Sequence, residues 1–354
     1  MKKKYLVSAS LLVSLCSVNL FAADTLKIIT WKGYAPKALV EKFEKETGID
    51  VEVTYSNNEE MIAKLRATRG AGFDLAQPSQ DRISSVQSKY KIYQAIDYSK
   101  IDEKQIVDSM LSAVKKNTNV KGASYAVPFN YGTSGLIVNT KMAPNAKDYD
   151  ALLDAQYSGK ISYRLKRPTL LAISFAKGED PFSKYSDAKE YKKLVDDSAN
   201  ELIKAKKHVK TYYANGDALL ELLRSKEVYV AMGWDNGGWK LHKENKDIDF
   251  IAPKSGALGW IDTFAIPSKA KNTKAAYAWI NFMLKPQNAA YFTNKEGYAT
   301  ASKDAKNFLN KEIKDNFQRS FTDADINNIN WYPPVPAKLE KIEGKLLDKV
   351  KASK

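Results

Sequence analysis

Seven aromatic residues fall where the sequence pattern predicts strand ends or loops, and one aspartate falls among them. The aromatic residues are Trp31, Tyr34, Trp234, Trp260, Tyr298, Trp331 and Tyr332. Aromatic faces attract amines and ammonium groups, and Asp262, placed between two apolar runs, could pair with such a group. Any one of these rings could equally pack in a core, and the aspartate could be structural. Seven rings at such positions nevertheless favour a shared cleft for a small solute.

The sequence offers few residues for catalysis. His208 and His242 lie in lysine-rich helical stretches, and the only cysteine is Cys16. Neither a Gly-rich phosphate loop nor a nucleophile-elbow serine is present. We therefore predict a binding protein that is not an enzyme and has neither cofactor nor metal. Two alternatives stay open: an exported hydrolase, and a ferric-ion receptor, which the adjacent phenols of Tyr212 and Tyr213 suggest.

The N-terminus has the order of a secretory signal. Three lysines at 2–4 precede an apolar run over 5–18, and small residues end the segment at Ala22 and Ala23. That run is shorter than the roughly 20 residues needed to span a bilayer. We predict a signal peptide over 1–23 and a soluble periplasmic protein that needs no disulfide, because Cys16 lies within the signal.

The chain is strongly basic, with a formal net charge of +15, of which the three signal-peptide lysines supply three. The lysines of the remaining chain are spread through helical stretches with acids among them. This distribution is typical of a solvated surface. We predict no nucleic-acid partner and expect a monomer.

The first hundred residues show an alternation of strand and helix patterns. A β-type run from Leu26 precedes a helix over 37–47, which Gly48 closes. Residues 49–55 alternate like a strand, a helix follows over 58–68, and an apolar strand follows over 73–76. This series predicts a mainly parallel sheet covered by helices. Because ligands of such sheets lie at the carboxyl ends of the strands, residues 31–34 and 78–81 should share one rim.

A second strand and helix series follows, and two segments could link it to the first. Residues 125–139 read as a crossover into a second lobe, and 259–267 read as the return. The predicted fold is therefore α/β with two lobes, hinge crossover strands and a ligand cleft between the lobes. We predict lobe 1 over 24–135 plus 261–306, and lobe 2 over 136–260 plus 307–354.

From Leu26 onward the chain resembles the bacterial putrescine- and spermidine-binding proteins of ABC transporters. Ordered motifs carry the resemblance, at 28–34, 44–49, 73–79, 125–132, 232–234, 259–267, 278–286 and 297–300. The resemblance implies a small-molecule ligand, an inner-membrane ABC permease as partner, and aromatic residues that enclose the ligand's methylene chain. It places these residues in the cleft: Trp31, Tyr34, Ser79, Trp234, Trp260, Asp262, Tyr298 and Tyr332.

Two departures from the family pattern leave the ligand open. Polyamine binders usually carry an acid just after the first tryptophan, where this chain has Lys32 and Gly33. The acids that the family has in its second lobe would fall near Lys166 and Thr169, in a segment that instead carries the cations Arg164, Lys166 and Arg167. These cations could face solvent. Alternatively, the ligand could be a zwitterion or an anion, with an amine at Asp262 and a carboxylate, phosphonate or phosphate near the three cations, since guanidinium groups suit such anions.

Overall fold

The computed structural model describes residues 24–353, so the predicted signal peptide over 1–23 lies outside the described residues. The strands are β1 Thr25–Thr30, β2 Asp50–Tyr55, β3 Leu75–Ala76, β4 Asn119–Val120, β5 Ala123–Ser124, β6 Val127–Asn139, β7 Ile161–Tyr163, β8 Val209–Tyr212, β9 Val230–Trp234, β10 Ile248–Ile251, β11 Leu258–Phe264, β12 Ala299–Thr300 and β13 Asn330–Trp331. The helices are α1 Lys37–Thr47, α2 Asn58–Ala67, α3 Ile83–Tyr90, α4 Asp108–Asn117, α5 Arg167–Ala176, α6 Ala188–Ala205, α7 Gly216–Arg224, α8 Asp235–Glu244, α9 Thr273–Leu284, α10 Pro286–Glu296, α11 Lys311–Ser320, α12 Asp323–Asn327 and α13 Ala337–Ala352.

The first sheet is the parallel sheet that the alternating pattern predicted. Its strand order is β2-β1-β3, and both pairings are parallel. Helix α1 has the predicted bounds and ends at Gly48, whose φ of 72° is the left-handed conformation that favours glycine. Since the strands are parallel, their carboxyl ends lie at one edge, which places Trp31 and Ser79 at the same rim.

The second sheet is mixed and contains the two long strands that connect the lobes. Its main path runs β13-β11-β6-β9-β7-β8, and β10 and β12 also pair with β6. Strands β6 and β11 are antiparallel, and their register shifts between Asp262 and Thr263. Pro128, which has no N–H to donate, pairs at this irregularity, where a proline is tolerated within a sheet. The crossover predicted over 125–139 is thus largely one continuous strand.

The buried apolar side chains form separate cores in the two lobes. One core takes residues between Leu26 and Phe129 and between Ile261 and Ala301. The main core of the other lobe takes residues between Leu136 and Trp260 and between Tyr332 and Val350. The chain therefore changes lobe within β6, within β11 and again after Ala301. The predicted two-lobed α/β fold with crossover strands is confirmed, whereas the lobe boundaries given above stay a prediction.

Across residues 24–353, no helix is both long enough and apolar enough to cross a membrane.

Candidate ligand-binding cleft

A cleft of about 760 Å³ is lined by residues of both lobes. The residues predicted for the site all lie along it: Trp31, Tyr34, Ser79, Arg164, Lys166, Arg167, Trp234, Trp260, Asp262, Tyr298 and Tyr332. The long strand β11 and the rim of the parallel sheet supply its lobe 1 wall. Strand β9 and the connection from β7 to α5 supply the opposing wall. The structure thus brings the predicted residues together along one cleft, and their roles toward a ligand stay predictions.

Asp262 is a buried carboxylate that is held by hydroxyl groups. It is 3% exposed, Ser79 Oγ donates to its Oδ1 over 2.5 Å, and the Tyr34 hydroxyl donates to its Oδ2. Within residues 24–353 it forms no ion pair with a lysine, arginine or histidine. Burial raises the pKa of Asp262 to about 7; the two hydroxyl donors oppose this shift, and the charge of Asp81 adds to it.

Ser79 is itself fixed by a side chain of the first turn of α2. Asn58 Nδ2 donates to Ser79 Oγ over 2.8 Å, and Asn58 Oδ1 accepts from the Ser79 backbone N–H over 3.0 Å. The hydroxyl of Ser79 accepts one hydrogen bond and donates the other, so its proton is directed at Asp262. Positioning by a helix and a strand end makes the carboxylate rigid before a ligand arrives.

The aromatic rings next to Asp262 pack edge to face. Tyr298 lies 5.4 Å from Tyr34 and 5.6 Å from Trp260, measured between ring centroids. The Trp260 ring is packed across the opposing strand against Gly132, where a Cβ atom would lie 2.5 Å from Trp260 Cζ2. Gly132 therefore provides the space that this ring occupies.

Trp234 forms part of the lobe 2 wall at the point where β9 ends and α8 begins. The Arg164 guanidinium lies over its ring, with 5.7 Å between the guanidinium carbon and the ring centroid. Among the residues described, Arg164 and the exposed Lys166 form no side-chain ion pair. Both cations are therefore available at this wall of the cleft.

Arg167, by contrast, is already paired. Its guanidinium donates to Asp81 and to Glu343, each over 3.1 Å, and also to the Tyr185 hydroxyl. It also lies 4.9 Å from the Tyr332 ring centroid. Asp81 belongs to lobe 1 and Glu343 to α13, so this arginine, whose side chain is 11% exposed, joins the lobes. Two carboxylates balance its charge, which leaves it little capacity to hold an anionic ligand.

The neighbouring residues Trp331 and Tyr332 point to different sides. Tyr332 is buried on the cleft wall, whereas Trp331 is 41% exposed, does not line the cleft, and packs near Tyr131 at 6.1 Å between ring centroids. The prediction that all seven aromatic residues share the cleft is wrong for Trp331. Successive side chains of extended backbone point to opposite faces, so two adjacent rings cannot both face one cavity.

Several residues of the cleft were not predicted from the sequence. They include the acids Asp81 and Glu296 and the cations Arg82 and Lys240. Asp81 lay in the predicted rim segment and follows Ser79 by two residues, so its position was detectable. Glu296 ends α10 and reaches the cleft only because this helix packs beside the turn at Gly33.

Further polar contacts cross the mouth of the cleft. Lys32 Nζ in lobe 1 lies 2.5 Å from Asp217 Oδ2 in lobe 2, and both side chains are exposed. Arg82 pairs with Glu340 of α13. Together with the Arg167 contacts, these pairs connect the two lobes across the cleft.

The two adjacent tyrosines considered for iron lie elsewhere. The Tyr213 hydroxyl donates to the Met232 carbonyl over 2.9 Å, and the Tyr212 ring packs on Tyr163 at 5.3 Å. Neither residue lines the cleft. Over the described part of the chain, His, Cys, Asp and Glu residues form no group of three that could hold a metal ion.

Two lobes joined by crossover strands, with a polar and aromatic cleft between them, define a solute-binding protein. The chain belongs to the bacterial extracellular solute-binding proteins, whose family model matches residues 38–320. This is a family of transport binding proteins and not of enzymes. The resemblance to polyamine-binding proteins seen in the sequence is confirmed.

Individual relatives agree with this family. The chain is 30% identical over 321 residues to spermidine/putrescine-binding periplasmic protein 1 of Haemophilus influenzae, covering 89% of this chain and 85% of the relative. It is 28% identical over 337 residues to the spermidine/putrescine-binding periplasmic protein of Escherichia coli, covering 94% and 93%. A putative spermidine/putrescine ABC transporter structure from Listeria monocytogenes superposes with a TM-score of 0.81 at 27% identity, covering 94% of this chain and all of that one.

Proposed function

We propose that this protein is the periplasmic receptor of an ABC importer and captures a small amine-containing solute of the polyamine type. The observation that carries the proposal is the carboxylate of Asp262, which is buried in an aromatic cleft and accepts hydrogen bonds from two hydroxyl groups, and which has no cationic partner among residues 24–353. A buried charge is costly unless it is paired. An ammonium group in the cleft would supply the missing positive charge and would contact the adjacent rings favourably.

The relatives support the rest of the proposal. Their names give spermidine and putrescine as solutes and the periplasm as location, and the predicted signal over 1–23 agrees with export. A receptor of this class delivers its solute to an inner-membrane permease, which we propose as the protein partner. Closure of the lobes around the solute, by motion about β6 and β11, would mark the loaded receptor.

A zwitterionic or anionic solute is the second candidate, and one observation favours it. Arg164 and Lys166 line the lobe 2 wall, opposite Asp262, and their charges are not balanced by an ion pair within residues 24–353. A carboxylate, phosphonate or phosphate on the ligand could contact them. This candidate is weaker than it was from the sequence, because Arg167 is already engaged by Asp81 and Glu343.

Calorimetric titration of the purified protein distinguishes the candidates. Putrescine and spermidine test the first, and an aminophosphonate and a phosphocholine-type compound test the second. We expect a polyamine to bind and Asp262→Asn to abolish that binding. Arg164→Ala should leave polyamine binding unchanged or stronger, but it should weaken binding of a zwitterion. Tight polyamine binding that survives Asp262→Asn would contradict the proposed site.

Mass spectrometry identifies the solute independently of any chosen panel. The protein is purified without refolding and denatured gently, and the small molecules that it releases are analysed. We expect a compound with at least one amine. Turnover of chromogenic esters or phosphates would instead favour the hydrolase alternative, and colour on addition of ferric salts would favour the iron alternative.

A further inference from the structure

Glu296 places a further carboxylate in the cleft, in addition to those of Asp262 and Asp81. It is the last residue of α10, half-buried, and it lines the cleft two residues before Tyr298. Its backbone carbonyl accepts from Asn236 Nδ2 of lobe 2 over 3.0 Å, so the end of α10 is held against the opposite lobe. The carboxylate is thus directed by a helix end and not by a mobile loop.

The space for this carboxylate is created by a glycine. A Cβ atom at Gly33 would lie 2.9 Å from Glu296 Oε2, which is too close for a side chain at position 33. Gly33 lies in the turn closed by the Tyr34 N–H and the Trp31 carbonyl, and its φ of 94° favours glycine there. The rim after β1 therefore has no acid of its own, but an acid from α10 occupies the place beside it.

The Glu296 carboxylate has no fixed partner. Between residues 24 and 353 it makes neither an ion pair nor a side-chain hydrogen bond. Lys240 and Lys295 are near enough to lower its pKa, but burial has the larger effect and raises that pKa above the usual range. Lys240 is exposed on α8 and faces the cleft from lobe 2, so it can move into solvent and leave the carboxylate free.

Tyr34 lies between the carboxylates of Asp262 and Glu296. Its hydroxyl donates to Asp262, and its backbone follows Gly33, beside Glu296. The Tyr298 ring packs on the Tyr34 ring and follows Glu296 in the chain. A hydrocarbon chain lying along these two rings would have one carboxylate near each of its ends.

We propose that Glu296 is a specificity-determining residue of the cleft, binding the second ammonium group of a solute whose first ammonium group pairs with Asp262. The proposal rests on the proposed receptor function and deepens it. It assigns a preference for linear diamines over monoamines of the same length. It also assigns Gly33 the role of leaving room for the Glu296 carboxylate.

The test compares putrescine, butylamine and 4-aminobutyrate, which have similar chains but different end groups. Each is titrated calorimetrically into wild type, Glu296→Gln and Asp262→Asn, with competition against putrescine where binding is weak. Wild type should prefer putrescine over butylamine by about tenfold or more, the range of one charge-assisted hydrogen bond. Glu296→Gln should lose most of this preference and bind butylamine as wild type does. Asp262→Asn should weaken both amines.

Two further variants control for the change of charge. Glu179→Gln removes an exposed acid of lobe 2 outside the cleft and should change neither affinity. Lys240→Gln removes the cation that competes for Glu296 and should tighten putrescine binding, but not in the Glu296→Gln background. Such a double-mutant cycle isolates the contribution of the pair.

The outcomes separate this inference from the proposed function. An unchanged putrescine preference in Glu296→Gln, or equal weakening of both amines, overturns the role of Glu296 and leaves Asp262 as the amine anchor. Binding of 4-aminobutyrate without binding of putrescine also overturns it and favours the zwitterion candidate. If wild type binds none of the three compounds and releases no amine on denaturation, the receptor proposal fails and this inference fails with it.

Discussion

Replacing Asp262 with asparagine removes a buried charge while nearly preserving the shape of the side chain. In the ligand-free protein, burial raises the pKa of this carboxyl from 3.8 to about 7. The folded chain therefore holds a proton that the unfolded chain releases between these two pH values. The contribution of this bound proton to the free energy of unfolding is fully present below about pH 4 and is lost as the pH rises through about 7.

The size of this effect follows from the pKa difference. Raising a pKa from 3.8 to about 7 corresponds to about 4 kcal/mol of folding free energy that wild type loses over this pH window. The Asp262→Asn variant has no ionisable group at this position and therefore does not lose this free energy. The amide oxygen can still accept from one of the two hydroxyl groups of Ser79 and Tyr34, but the amide NH₂ cannot accept from the other, so part of the gain is offset. We expect the variant to be more stable than wild type at pH 8 by about 2 kcal/mol, or about 3 °C in Tm for a chain of this length.

Differential scanning calorimetry from pH 4 to pH 8 measures this difference without ligand. Near pH 4, where only the lost hydrogen bond counts, the Tm of the variant should be below that of wild type, and it should rise above the wild-type Tm as the pH increases. The exposed Asp304→Asn is the matched control and should follow wild type throughout. A variant that is less stable than wild type at pH 8 would refute the reasoning, because it would show that the charged carboxylate stabilises the empty cleft.

A bound amine should make wild type more stable than Asp262→Asn. An ammonium group favours the charged form of Asp262, so binding near pH 7 should release about half a proton from the site. Titrations in two buffers of different ionisation enthalpy measure this number. Amine should raise the Tm of wild type but not that of Asp262→Asn. Equal proton release by both proteins would show that another group titrates on binding.

Three other substitutions, two of them paired with a control variant, test the walls of the cleft and the contact between the lobes. Trp260→Ala should weaken amine binding by about 0.5–2 kcal/mol in calorimetric titration and still unfold cooperatively; loss of the fold would show that the ring acts mainly in the core. Gly132→Ala should displace the Trp260 ring and thereby weaken amine binding. It should also lower the free energy of unfolding, measured with denaturant, by about 1–3 kcal/mol. Gly344→Ala, at an open position within α13, should instead stabilise the protein by about 0.5–1 kcal/mol. Equal effects of Gly132→Ala and Gly344→Ala would contradict the argument that Gly132 makes room for the Trp260 ring. Arg167→Ala should lower the free energy of unfolding by about 3–5 kcal/mol, because it leaves two carboxylate partners unpaired. Arg164→Ala should leave the free energy of unfolding unchanged. Similar values for the two variants would mean that the ion pairs of Arg167 contribute little to stability.

The sequence alone was sufficient for much of the local structure. Strict alternation over 49–55 predicted strand β2, and the apolar spacing over 37–47 with Gly48 predicted α1 and its end. These features depend on backbone periodicity and on the left-handed conformation of one glycine, which are properties of neighbouring residues. Parallel strands place their ends at one edge, so the meeting of Trp31 and Ser79 at the cleft could also be predicted.

The pairing of charges was decided only by the tertiary structure. Arg164, Lys166 and Arg167 cannot be told apart from the sequence. Arg167 is paired with two carboxylates, whereas the other two form no ion pair in the part of the chain described. Asp81 and Glu343 are distant from Arg167 along the chain. Local sequence periodicity does not predict which of several neighbouring cations will pair with these carboxylates. The pairing depends on how the two lobes pack against each other and on where α13 lies.

The position of Glu296 was likewise set by packing between distant segments. The acid that the family pattern led us to expect near Lys32 and Gly33 is absent from that turn, and a carboxylate from α10 lies beside the empty Cβ position. Trp331 and Tyr332 show the same limit, since the pattern predicted both as cleft residues but strand geometry allows only one. Periodicity fixes the direction of a side chain relative to its own strand or helix, whereas the cavity that it enters is fixed by contacts across the sheet and between lobes.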